Sequence, residues 1–141
     1  MTTLYDCLRQ ESLAIIEAAE KLNDIEVQKA INILENCSNM KKKLIITGVG
    51  KSGIIARKMA ATFSSIGLIA IYLNPVDALH GDLGLVDEND VCILFSNSGE
   101  TAEIVELIPY LKNKGTLQIA IVGQVNSTIG LKSDVIIEAG V

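Results

Sequence analysis

The stretch KKKLIITGVGKSGIIARKMAATFSS, residues 41–65, decides the fold. Three lysines lead into a short β-branched apolar run, Leu44 to Thr47, which reads as a strand. Gly48-Val49-Gly50 then turns the chain, and Ser52 is placed to cap a helix running to about Ser65. Working outward, the same unit recurs. Apolar runs at 68–73, 91–95, 117–122 and 135–137 read as four more strands, and helical stretches fall near 53–65, 101–113 and 127–132. Because these runs do not alternate with polar residues, they predict strands covered on both faces, hence a parallel sheet. Right-handed crossovers then give a doubly wound α/β sandwich of three layers. Loops after the first and third strands meet at the carboxyl end of such a sheet, at its topological switch point.

Upstream of this core, Leu4, Leu8, Ile15, Ile16, Ala19 and Leu22 recur at helical spacing, with Ser12 as a gap. A second amphipathic helix is expected from Ile25 to about Cys37, with Val27, Ala30, Ile31 and Leu34 facing inward. This helix pair, residues 4–37, has no evident place inside a three-layer unit. It is expected to pack against another subunit, as a dimer or tetramer.

Composition narrows the function. The 141 residues are 49% apolar and 21% charged with two prolines, which fits one folded domain and contradicts disorder. Twelve basic against seventeen acidic residues give a net charge of −5, which argues against nucleic acid or an anionic membrane as the main partner. Cys7, Cys37 and Cys92 are odd in number and far apart, so they suggest neither a disulfide framework nor a zinc site, and they fit a reducing cytoplasm. Cys92 lies in an apolar run and reads as a core residue. The N-terminus lacks the apolar segment of a signal peptide, and no run reaches the length of a membrane span.

Three loops carry the chemistry. Gly48-Val49-Gly50-Lys51-Ser52-Gly53 matches G-x-G-x-x-G, yet the second strand ends Tyr72-Leu73-Asn74 without the acidic residue a dinucleotide ribose needs. A nucleotide P-loop also fails, since position 45 is Ile where glycine is required. Lys51 and the helix start behind it instead offer positive potential to a small anion. After the third strand, Ser96-Asn97-Ser98-Gly99-Glu100-Thr101 supplies three hydroxyls and a glycine at the opening of a helix. That pattern reads as a phosphate cup, against the plainer alternative of N-capping by Ser98 or Thr101. Glu100 would repel a phosphate unless turned away, so it reads as a loop-ordering residue. Between them, Ala78 to Gly84 holds His80, the chain's one histidine, whose imidazole can move protons near pH 7. One His without carboxylate or thiolate partners predicts no metal site.

Taken together, GVGKSG with ARKMAATFSSIG, DALHGDLGLV, SNSGETAEI and LIPYLK, in this order across roughly residues 44–137, resemble the sugar isomerase (SIS) domain, in its arabinose-5-phosphate isomerase branch. The resemblance implies a flavodoxin-like five-stranded parallel sheet. It also implies interconversion of D-arabinose 5-phosphate and D-ribulose 5-phosphate in 3-deoxy-D-manno-octulosonate biosynthesis for lipopolysaccharide or capsule, without a cofactor. It implies Lys51 as stabiliser of a developing oxyanion, His80 as ring-opening or proton-shuttling group and Glu103 as proton-transfer group. Gly50, Ser52, Gly67, Ser96, Asn97, Ser98 and Thr101 become substrate-binding positions.

There are two departures from the family pattern. Asn74 stands before Pro75 where some members carry a His that joins a metal site. Members also continue beyond the fifth strand with a further active-site Glu, a closing helix and an HPGG-like motif, often followed by CBS domains. The chain is therefore expected to be one SIS domain, 1–141, lacking its C-terminal part, with apolar surface left uncovered and with low or absent isomerase activity. Two other readings stay open: a non-catalytic sugar-phosphate-binding module, and an isomerase for another phosphosugar such as a hexulose 6-phosphate.

Overall fold

A computed structural model describes residues 1–140. Two helices come first, α1 (Leu4–Lys21) and α2 (Asp24–Asn39), followed by β1 (Lys43–Thr47), α3 (Lys51–Ser65) and β2 (Ile69–Tyr72). A short α4 (Pro75–Leu79) and a 3-10 turn (Asp82–Leu85) lead to β3 (Val91–Ser96). The chain continues through α5 (Ala102–Asn113), β4 (Leu117–Val122), α6 (Thr128–Lys132) and β5 (Val135–Glu138). All strand pairings are parallel, in the order β2-β1-β3-β4-β5. The α/β class and the five-stranded parallel sheet are those expected from the apolar runs.

The sheet separates two cores. On one face Ile45, Cys92, Leu94, Ala120 and Val122 pack against Ala78 of α4, Ile129 of α6, and Ile104, Leu107, Ile108 and Leu111 of α5. On the other, Leu44, Ile46, Val91, Ile93 and Ile119 meet Cys37 of α2 and Ala56 and Ala60 of α3. β1 and β3 are neighbours, yet α3 and α5 lie on opposite faces, so the strand order reverses between them as expected. Burial pushes the Cys92 thiol up to about 12, which leaves it an inert core group.

Several elements differ from the expectation. α2 is not left over: Ala30, Ile33, Leu34 and Cys37 pack it on its own sheet. Ile33 takes the inward position expected of Ile31, which is exposed. Glu26 fastens the helix further by accepting the Ile136 N–H of edge strand β5 at 2.9 Å. Among the α-helices of the described residues α1 alone has no buried residue, and its Leu4, Leu8, Ile15 and Ile16 are exposed. β2 is an edge strand, so Ile69 stays 53% exposed despite its apolar run. α4, an element the apolar runs did not announce, forms because Asn74 Oδ1 accepts the N–H groups of Val76 and Asp77, with Pro75 at the first helical position.

At the amino edge of the sheet, fully buried Asp90 organises the return from the 3-10 turn to β3. Its carboxylate accepts the Lys43 N–H at 2.9 Å and the Asp87 N–H at 2.7 Å, and pairs with Lys43 Nζ at 3.0 Å. Asp90→Ala strands these backbone donors, and the expected loss is about 3 kcal/mol in urea unfolding. Asp90→Asn, keeping one acceptor oxygen, should fall between; an Ala variant as stable as the parent would contradict the role.

Candidate active site

The turn after β1 is held by close backbone approach. A Cβ on Gly48 would lie 2.7 Å from the Ser52 carbonyl oxygen, and Gly50 carries the chain into α3 at φ 61°. Gly50, without a side chain, is therefore the N-cap. Ser52 falls inside the first turn and does not cap, contrary to expectation. Tyr72 braces the turn from β2, its hydroxyl donating to the Gly48 carbonyl at 2.8 Å. Arg57 stacks over the Tyr72 ring at 4.6 Å from its centroid. Val49, Gly50, Gly53, Ile54, Tyr72 and Asn74 line a cleft of about 170 Å³ there.

The loop after β3 is organised by its own hydroxyls. Ser96 Oγ accepts the Gly99 N–H at 2.9 Å and shares a 2.7 Å hydrogen bond with Thr101 Oγ1. Ser98 Oγ accepts the Glu100 N–H at 3.1 Å, which leaves its own hydrogen free to donate. Gly99 is required twice: φ is 69°, and a Cβ would collide with Ser127 Oγ on the α6 side. Thr101 is the N-cap of α5 but makes no capping bond with its side chain, which is engaged with Ser96. The first-turn N–H groups of α5, at Ala102 and Glu103, thus have no acceptor within the helix. With Asn97 and Ser98 exposed, the loop offers outward donors at a helix N-terminus, an arrangement suited to an oxyanion.

Glu100 does not oppose that role. Its carboxylate turns to α6 and accepts the Thr128 N–H at 2.8 Å. Hydrogen bonds from Thr128, side chain first and then backbone, hold its pKa below the usual glutamate value.

The expected site residues fall into three groups. Gly50, Lys51 and Ser52 sit at the start of α3, and Ser96, Asn97, Ser98, Thr101 and Glu103 where β3 passes into α5. β1 and β3 pair with Thr47 opposite Leu94, so these two groups share the carboxyl edge on adjacent strands. His80 ends α4, in the segment that leaves β2 at the same edge, with its imidazole exposed. Among the described residues no hydrogen bond or ion pair links Lys51, His80 and Glu103 to one another. Gly67 is not with them. α3, about 22 Å long, carries the chain to the amino edge, where Gly67 lines a groove with Lys41 and Lys42. Its φ of 96° explains the glycine as a turn residue.

Asn74, which stands where a metal-binding His was considered, spends its side-chain oxygen capping α4. Tyr72 and Arg57 were missed by the sequence reading; an aromatic residue ending an edge strand beside the glycine turn was the available signal.

Residues 39–141 match the SIS domain. This chain belongs to the SIS domain family. It is 39% identical over 138 residues to the arabinose 5-phosphate isomerase KpsF of Escherichia coli, covering 98% of this chain and 41% of that protein. Among solved structures, a putative phosphosugar isomerase involved in capsule formation from Bacteroides fragilis superposes with a TM-score of 0.83 at 35% identity, covering 96% of this chain and 73% of that one. An E. coli CFT073 protein in complex with arabinose 5-phosphate superposes at 0.75 with 37% identity, covering 96% and 74%. The chain therefore spans about two-fifths of the length of the E. coli KpsF proteins it matches.

The Glu100 bond gives a pH prediction. A depressed folded pKa means the anchor on α6 is complete above the usual glutamate range and is lost as pH falls through the lowered folded value. The Thr128 amide resonance should titrate with a midpoint below an ordinary glutamate, and should not titrate in Glu100→Gln. A midpoint at or above the ordinary value would contradict the bond.

Proposed function

We propose that this SIS chain binds a phosphorylated pentose and forms part of an aldose–ketose isomerase interconverting D-arabinose 5-phosphate and D-ribulose 5-phosphate. The observation that supports it most is the loop 96–101, whose Ser96–Thr101 and Ser96–Gly99 bonds leave Ser98 and the α5 N-terminus facing outward beside the Lys51 turn. The names of the relatives point the same way.

In this reading the 96–101 loop grips the phosphate with charge-assisted hydrogen bonds, and that remote anchor fixes the reacting carbons. Isomerisation moves one proton from C2 to C1 and one from O2 to O1, so it balances without a redox partner. Glu103 exchanges the carbon-bound proton, Lys51 stabilises the enediolate oxygen and His80 assists ring opening or shuttles the hydroxyl proton. Gly50 and Ser52 shape the turn that presents Lys51. A cytoplasmic setting and homo-oligomerisation through exposed α1 belong to the same proposal. No helix among the described residues is long and apolar enough to cross a membrane.

A binding-only module is the competing reading, favoured by the lack of contact among Lys51, His80 and Glu103 in the described residues. Two assays separate them. D-arabinose 5-phosphate at about 100 times its dissociation constant should stabilise the purified chain by about 2.7 kcal/mol, seen as a rise in melting temperature. Ser98→Ala and Lys51→Met should each diminish the rise. Turnover of D-ribulose 5-phosphate, lost in Glu103→Gln, supports the enzyme; binding without turnover supports the module. No thermal response to either pentose phosphate, a hexose 6-phosphate or inorganic phosphate would overturn both.

A further inference from the structure

Thr47 ends β1 directly before the glycine turn and is 1% exposed, yet its hydroxyl has no hydrogen-bond partner among the described residues. Burying a hydroxyl without a partner is unfavourable, and a valine would fill nearly the same volume without that cost. The position of the hydroxyl within the fold gives it a use. Alternation along β1 puts Leu44 and Ile46 in the core beneath α2 and α3, and Ile45 in the core beneath α5. Thr47 therefore faces the α5 side. Its register partner Leu94 belongs to the same core, and Ser96, two residues further along β3, lies on that face too. The carboxyl rim of the α5 face thus carries two hydroxyls on adjacent strands. Ser96 is fully engaged by Gly99 and Thr101, and Thr47 is not engaged at all.

We propose that the Thr47 hydroxyl is a substrate-recognition group, pairing with a hydroxyl on the carbon chain of the bound phosphosugar at the carboxyl edge, where the 48–50 turn and the 96–101 loop leave adjacent strands. This rests on the function proposed above and adds a residue that reads the sugar rather than its phosphate. A threonine hydroxyl both donates and accepts, which matches a sugar hydroxyl. Because the atom is closed to solvent, the contact forms only as the surrounding side chains part for the entering sugar. A lost hydroxyl contact at such a site weakens selectively the ligand that used it.

The test compares the parent chain with Thr47→Val and Thr47→Ser by calorimetric titration of D-arabinose 5-phosphate and of inorganic phosphate, together with thermal melting. Thr47→Val should bind the sugar phosphate about three- to tenfold more weakly, bind phosphate as the parent does, and melt at the same or a higher temperature. Thr47→Ser should keep sugar affinity within about twofold. Unchanged sugar affinity in Thr47→Val, an equal loss toward phosphate, an equal loss in Thr47→Ser, or a lower melting temperature in Thr47→Val would each overturn the inference. A parent chain that binds neither ligand would overturn the underlying function along with it.

Discussion

The divergence of two neighbouring strands governs this molecule. β1 and β3 share a ladder from Leu44–Val91 to Thr47–Leu94, and their helices leave to opposite faces of the sheet. No helix can then cover the gap between the two loops, so the backbone there must be satisfied by turns, hydroxyls and helix N-termini. Each local feature at the carboxyl edge answers that requirement. Gly48 lets the first turn close on the Ser52 carbonyl, Tyr72 ties the turn to the edge strand, and Ser96 folds the second loop onto itself.

In the proposed reading an anion sits at this edge although the chain is acidic, because the local charges are arranged against the net charge. Lys51 opens α3, while Glu100, the acid inside the hydroxyl loop, is drawn off to the Thr128 amide. The hydrogen bond that orders α6 thereby also clears a negative charge from the mouth of the loop. Lys43, by contrast, is taken up by Asp87 and Asp90 at the far edge, where it serves the fold.

The positions of the strands, the parallel sheet and the switch point were legible because apolar runs without polar alternation admit few other packings. Helix starts were less so. Ser52 carries the residue type of a cap, but the cap is Gly50, because the backbone reversal, rather than a side chain, delivers the chain into α3. Asn74-Pro75 did encode α4, in the pairing of a capping amide with a proline at the first helical position. The place of α2 was hidden because a local pattern shows that a helix has an apolar face but not which surface covers it; here the sheet does, with the Glu26 bond to β5 added. The motif resemblance grouped Gly67 with the site, yet α3 separates them by its whole length. Thr47 could not be found from sequence at all, since only burial shows that its hydroxyl lacks a partner.

The central claim is that the 48–52 turn and the 96–103 loop together form one sugar-phosphate site at the carboxyl edge. Titrating the nitrogen-15-labelled chain with D-arabinose 5-phosphate tests it most directly. Saturable amide shifts should concentrate at Gly50–Ser52 and Ser98–Glu103. Shifts confined to the amino edge around Lys41, Lys42 and Gly67, or shifts at only one of the two loops, would contradict it.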